Sequence, residues 1–513
     1  MHASRSPRSL AAALLLMALT SASPAFAQEA QAQLDFGDGP SLIDVARAYS
    51  SGTLSSVRHW NRVAIDASGL DHTEPVPEVE DRDDFAEQLG PGRAARAMAI
   101  VHIAMFDAIN AIVGFYESYT DLPRAPRGVS ARAAIAQAAH DTLVALFPAQ
   151  TALIDEKLRQ DLLRIPNGRE KTNGIALGKA AAAAILAKRA DDGSDHDEPL
   201  IDVDWPTSDE PGHWRLDPVS QIPLALGAHW SEVEPFVLES AEQFRTPPPP
   251  AMTSAAYTQA FDEAKRLGGD GIGTPTERTE EQGFIGVFWA YDGTPSLCAP
   301  PRLYNQIAMT VAHKMRSNSV QTARLLALVN VAMADTGIGV WESKYYWDFW
   351  RPVTGVRESD PGTGPSQAGD GNPNTLGDVD WTPLGAPASN VANGTDFTPP
   401  FPAYPSGHAG FGGALFQVLR RFYGTDRISF TFVSDEFNGV TVGADGEVRP
   451  LRPRFFGSLS QAEEENGQSR IYLGIHWAFD KTEGIAQGRE IADYVFEHAF
   501  EPVRKSKQRS GRR

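Results

Sequence analysis

The sequence predicts an all-α protein, two halves that each look like a four-helix bundle, joined by long irregular loops. Three observations carry this. Many segments rich in Ala and Leu repeat apolar residues at helical spacing, alternating Val/Ile/Thr runs of the strand kind are scarce, and where the period stops the chain is dense in Gly, Pro, Asp and Asn.

Residues 1–27 carry Arg5 and Arg8, then an apolar run from Leu10, then Ala25-Phe26-Ala27 before Gln28. This is the pattern of a cleavable secretory leader, so the mature chain is expected to begin near Gln28 and to work in a periplasm or outside the cell. A membrane anchor needs ~20 apolar residues, and this run is shorter. No later stretch reads as long and apolar enough to span a bilayer. The clearest helical periods cover Ala94 to Val113, Ala131 to Phe147, Gln150 to Leu163, Lys171 to Asp191, Ser254 to Leu267, Pro301 to Arg316, Gln321 to Trp350, Gly407 to Tyr423 and Thr482 to Phe500. The proline run Pro247 to Pro250 divides an amino-terminal half, 28–245, from a carboxy-terminal half, 251–505. No internal repeat is found. The loop from Ser359 to Tyr404 is unusually long for a compact domain, and loops of that length are more often functional than idle.

The bulk numbers exclude several classes. With 46 Lys and Arg against 65 Asp and Glu, the formal charge of −19 repels nucleic acid and anionic membrane at long range. Cys298 is the only cysteine among the 513 residues, which rules out an internal disulfide and the Cys-based zinc patterns.

Three motifs carry chemistry. In KYYWDFWRP, Lys344 and Arg351 are seven residues apart, nearly two helical turns, so on one helix they would share a face roughly 10 Å apart with Pro352 ending it. Trp341, Tyr345, Trp347, Phe349 and Trp350 around them indicate burial, and a buried cation needs a partner. Asp348 is the structural competitor for Lys344. In PPFPAYPSGHAGFGG, prolines enforce an extended approach before Ser406-Gly407-His408 opens a helix. Free amides at a helix start form an anion site, at which the Ser406 hydroxyl and Gly407 amide would point, and an anion beside His408 would stabilise its protonated form. In SRIYLGIHWAFD, Arg470 is a further guanidinium. His476 and Asp480, four apart, would let the carboxylate hold one imidazole nitrogen and free the other as ligand or nucleophile. Each motif alone also reads as an ordinary surface pair, N-cap or amphipathic helix. Together they supply three cations, a hydroxyl, a helix start and two histidines for one oxoanion.

Lys-x₆-Arg-Pro, Pro-Ser-Gly-His and Ser-Arg-x₅-His-x₃-Asp, in this order, resemble the signature of the superfamily that joins vanadium haloperoxidases to type-2 phosphatidic acid phosphatases and bacterial class A acid phosphatases. FPAYPSGH, with FGGALFQ after it, is similar to the fungal-type vanadium chloroperoxidases. The similarity includes FWAYDGTPSLCAPPRLYNQ from Phe288 and reaches back, loosely, to the helix at Ala97. The resemblance implies a vanadate cofactor with His476 bound to vanadium, and Lys344, Arg351, Arg470, Ser406 and the Gly407 amide on its oxygens. It implies His408 as acid/base at the apical oxygen, Lys344 polarising bound peroxide, Trp341 and Phe401 on the halide side, and Asp292 paired with Arg470. Asp480 as the orienter of His476 is inferred from its spacing. The implied reaction is oxidation of halide by hydrogen peroxide to a hypohalous species that halogenates a small organic acceptor. Two rivals use the same pocket: an acid phosphatase with His476 as nucleophile, since vanadate resembles the transition state of phosphoryl transfer, and an oxoanion-binding protein without turnover.

Overall fold

A computed structural model of the chain describes residues 39–74 and 85–503; the leader expected at residues 1–27 lies outside the described residues. Among them are fourteen α-helices. The amino-terminal half holds α1 (Leu42–Ala48), α2 (Ser51–Asp71), α3 (Gly90–Val113), α4 (Ala131–Leu146), α5 (Thr151–Leu163) and α6 (Arg169–Lys188). The carboxy-terminal half holds α7 (Ala255–Gly268), α8 (Glu280–Phe288), α9 (Pro301–Lys314), α10 (Ser319–Trp347), α11 (Pro352–Glu358), α12 (Gly407–Tyr423), α13 (Leu459–Tyr472) and α14 (Ala478–His498). A two-stranded antiparallel sheet, β1 (Phe430–Phe432) and β2 (Arg454–Phe456), pairs Phe430 with Phe456.

Local chemistry starts many of these helices. Ser50, Ser130, Ser254, Thr279, Asn318, Ser406 and Ser458 each stand at an N-cap and accept a first-turn backbone N–H. In the amino-terminal half α2, α3, α4 and α6 pack together; in the other α10, α12, α13 and α14 do, and α3 lies along α10. One apolar cluster therefore runs through both halves, from Ile100 and Phe106 to Leu328, Phe411 and Val495. The proline run is pinned rather than loose, because Tyr404 Oη donates to the Pro247 carbonyl at 2.6 Å.

Two expectations need correction. By length and composition α3 and α10 are apolar enough to cross a bilayer, contrary to the sequence reading; 94% of the apolar window in each is buried inside the protein. A helix apolar on all sides is what the centre of a large core requires. Nor do Lys344 and Arg351 share a helix. α10 ends at Trp347, Asp348 turns the chain with φ +48°, and Pro352 opens α11 with Arg351 at its extended N-cap. Proline suits the first turn of a helix, where its missing N–H costs nothing, so it marks a start here.

The α12–α14 contact positions the site. A Cβ on Gly488 would lie 2.0 Å from the Gly410 carbonyl oxygen, and one on Gly484 2.6 Å from that of Ser406. Only glycine permits this approach. It brings the start of α12 against the start of α14, where Ser406 N donates to the Asp480 carbonyl at 2.9 Å.

Candidate active site

The three sequence motifs converge on one buried cradle. Lys344, on the last turns of α10, is fully buried and donates from Nζ to the carbonyls of Pro402, at 2.7 Å, and Ala403, at 3.1 Å. An ammonium has three donors, so one is left over. Asp348 does not compete, since its carboxylate takes His213 Nδ1 at 2.8 Å. Arg351 donates from Nε to the Phe401 carbonyl and from Nη1 to the Ile475 carbonyl and to His476 Nε2, at 2.9, 2.8 and 3.0 Å. Arg470, on α13, grips both oxygens of Asp292, at 3.1 and 2.6 Å. This fork-on-carboxylate geometry fixes the guanidinium in direction.

These cations are not satisfied. Arg351 Nη2 and Arg470 Nε are buried with no hydrogen-bond partner. Buried donors normally have partners, and two orphaned guanidinium nitrogens in one cradle fit a bound anion. Burial, with Arg351 beside it, lowers the Lys344 ammonium well below its usual range, and burial pushes Arg351 down to about 9. In both the main cause is loss of water, so each positive charge is costly here until an anion offsets it. Ser406 and Gly407 open α12 at the rim, and a Cβ on Gly407 would meet the Trp341 ring at 3.1 Å, so the backbone there stays bare.

The two histidines differ in surroundings. His476 precedes α14, whose N-cap is Trp477 and whose third residue is Asp480, so the pair meets across the helix start and not within one helix. Its Nδ1 lies 2.8 Å from Asp480 Oδ2, and its Nε2 accepts from Arg351. The proton therefore sits on Nδ1 and the Nε2 lone pair faces the cradle. Burial, then Arg351, Lys344 and Arg470, lowers His476 well below the usual imidazole range. Asp480 also accepts the Trp477 amide at 2.9 Å, and burial pushes it up to about 7.

His408, in the first turn of α12, is hydrogen-bonded through Nε2 to the Ala290 carbonyl, with Nδ1 3.8 Å from Asp292. With no anion beside it, its protonated form is disfavoured, because burial and then Arg470 push it down to about 4. Sequence reasoning also missed two supports. Tyr304 Oη and Asn466 Nδ2 both donate to the His408 carbonyl at 2.9 Å. Tyr304 lay inside the similar stretch after Phe288; Asn466, in a polar helix, carried no signal.

Above the cradle is a cavity of about 190 Å³. Asp292, His408, Arg470 and His476 line its polar end, and Trp341 and Phe401 stand edge to face in its wall with ring centroids 5.0 Å apart.

Known proteins resemble this chain in sequence and in fold. Residues 324–505 match the family model described as the VCPO second helical-bundle domain. The chain is 32% identical over 523 aligned positions to a vanadium chloroperoxidase of Curvularia inaequalis, covering 85% of this chain and 80% of that protein. Among solved structures, one described as the first bacterial vanadium-dependent iodoperoxidase has a TM-score of 0.65 at 24% identity, covering 87% of this chain and 98% of its own. An apo-type bacterial vanadium-dependent chloroperoxidase has a TM-score of 0.59 at 15% identity, covering 80% and 94%. These two share the fold.

Proposed function

Since the chain belongs to the vanadium haloperoxidase family, we propose that it uses hydrogen peroxide to oxidise halide to a hypohalous species, which then halogenates small organic acceptors. The observation that carries this reading is the pair of orphaned buried donors, Arg351 Nη2 and Arg470 Nε, in the same cradle as His476, whose Nε2 carries no proton and accepts from Arg351 Nη1.

The residues fit vanadate. His476 Nε2 would hold the metal, while Lys344, Arg351, Arg470, the Ser406 hydroxyl and the Gly407 amide would hold its oxygens. When bound, vanadate supplies a Lewis acid that activates peroxide toward halide without changing its own oxidation state. Asp480 keeps the His476 proton on Nδ1 and raises the basicity of the other nitrogen. Asp292 holds Arg470 against the site. His408, neutral when the cradle is free of anion, is a base able to take a proton from incoming peroxide and return it to the leaving oxygen. Lys344 places charge where the oxygen becomes electron-poor. Trp341 and Phe401 exclude water from the side at which halide would approach.

An unprotonated His476 Nε2 also suits a nucleophile, as a phosphomonoesterase would need. Incubating the vanadate-free chain with orthovanadate and assaying halogenation with chloride, bromide and iodide, beside phosphomonoester hydrolysis without vanadate, separates the readings. Halogenation that needs vanadate and is competed by phosphate is expected. Rates equal with and without vanadate would refute the cofactor; phosphate release alone would favour the phosphatase. We further propose that residues 1–27 direct export, which N-terminal sequencing of the mature protein tests.

A further inference from the structure

The cavity above the cradle is more apolar than the small reactants need. Apart from the aromatic pair on the halide side, Leu89, Leu224, Leu226, Phe397, Pro399 and Pro400 stand in its wall. Hydrogen peroxide is strongly hydrated and halide is an anion, and an apolar wall offers neither of them a replacement for lost water. A neutral organic guest gains from the same wall, and the pattern of apolar lining with a few convergent polar groups at one end is that of a small-molecule site.

Leu89 makes the point sharply. It occupies the N-cap of α3, where Ser, Thr, Asp or Asn would bond the first-turn amides, and it provides no side-chain cap. It is also 37% exposed, so its side chain is not there for the core. The Gly90 amide goes instead to His72 Nε2 at 3.2 Å. A Cβ on Gly90 would stand 3.4 Å from Leu226, so the start of α3 and the loop at Leu226 close on each other beside the cavity. Departures from local rules of this kind concentrate at functional sites.

We propose that this cavity binds the organic acceptor, as a neutral apolar molecule of one or two rings, so that halogenation occurs on a bound guest. The inference rests on the haloperoxidase reading for its oxidant. A hypohalous acid formed at the cradle delivers its halogen to a ring carbon of the guest. The O–halogen bond breaks, the C–halogen bond forms, and the displaced ring proton leaves with the hydroxide as water.

The test uses the full chain, with and without orthovanadate, and indole as the probe. Leu89→Ser removes one apolar side chain from the wall while installing a favoured cap, so the variant is expected to fold at least as well. Calorimetric titration is expected to show saturable indole binding to the unaltered chain, weakened about fivefold or more in Leu89→Ser, the scale of losing one apolar contact. Under turnover with bromide, the ratio of haloindole isomers is expected to differ from that given by reagent hypobromite and to relax toward it in Leu89→Ser, with the KM for bromide unchanged. No saturable binding, or equal binding by the variant, overturns the proposal. Isomer ratios identical to the reagent's overturn the acceptor site alone and leave the haloperoxidase reading standing; indole binding through Leu89 with no halogenated product overturns the acceptor role by way of that reading.

Discussion

His476 and Asp480 meet at 2.8 Å across the start of α14, Nδ1 to Oδ2, and this contact decides which imidazole nitrogen faces the cradle. The same carboxylate oxygen accepts the Trp477 amide at 2.9 Å. One side chain thus serves both the helix and the ligand.

Asp480→Ala is therefore expected to lower affinity for orthovanadate by about 10- to 100-fold, the usual effect of losing a carboxylate behind a metal-binding histidine, and to cost roughly 0.5–2 kcal/mol of stability through the lost cap. Asp480→Asn keeps an acceptor without the charge and should fall between. Equilibrium dialysis with orthovanadate checks it; unaltered affinity in the Ala variant would detach Asp480 from the site.

A pH-dependent signature belongs to His408. Burial and the neighbouring Arg470 push it down to about 4, so it is neutral at pH 6 in the anion-free chain. An oxoanion in the cradle offsets Arg470 and favours the imidazolium, which raises the pKa. Binding then takes up a proton, and by linkage anion affinity falls as pH rises through the new value. Histidine NMR with and without sulfate, whose charge is constant over this range, reads it directly, with His408→Gln identifying the resonance. A value starting near 6.5, or one that stays near 4 with sulfate bound, contradicts this.

The α12–α14 seam carries a stability prediction. A Cβ at Gly488 would lie 2.0 Å from the Gly410 carbonyl oxygen, a backbone atom that cannot turn aside as a flexible side chain would. Gly488→Ala is expected to destabilise by about 1–3 kcal/mol, as overpacking does, and to weaken vanadate retention, because the same seam sets Ser406 against Asp480. An unchanged unfolding midpoint would show that the helices can separate freely.

What the sequence revealed depended on whether a feature is local. The period of Gly407 to Tyr423 coincides with α12 because a serine cap, a glycine-rich first turn and the terminal Gly424, at φ +68°, are all written nearby. α13 escaped notice because its face is polar; its buried Glu463 is satisfied by Arg420 and Arg489, partners distant in sequence or on other helices. The convergence of Lys344, Arg351, Arg470 and His476 followed from motif order and chemistry. Arg351's place between two helices did not, since a proline can end a helix or begin one, and only Asp348's left-handed turn decides. The pull of desolvation on His408 was also hidden, because it depends on burial by the loop at Ala290, remote in sequence.

The sharpest prediction separates the two histidines. His476 presents a lone pair on Nε2, its proton held by Asp480, and so is equipped to bond a metal. His408 has Nε2 engaged with the Ala290 carbonyl and Nδ1 3.8 Å from Asp292, which equips it to hold and pass a proton. His476→Ala is expected to abolish the bond to vanadium while the cationic cradle still holds vanadate loosely, because Arg351 Nη2 and Arg470 Nε keep their unmet donors. His408→Ala is expected to leave that bond in place and lower turnover ~10²- to 10⁴-fold, the scale of lost acid/base catalysis. Crystals of both variants soaked in orthovanadate decide the matter. Vanadium bonded to His408 with His476 free would reverse the assignment, and loss of the bond in both variants would make the two imidazoles one coupled unit.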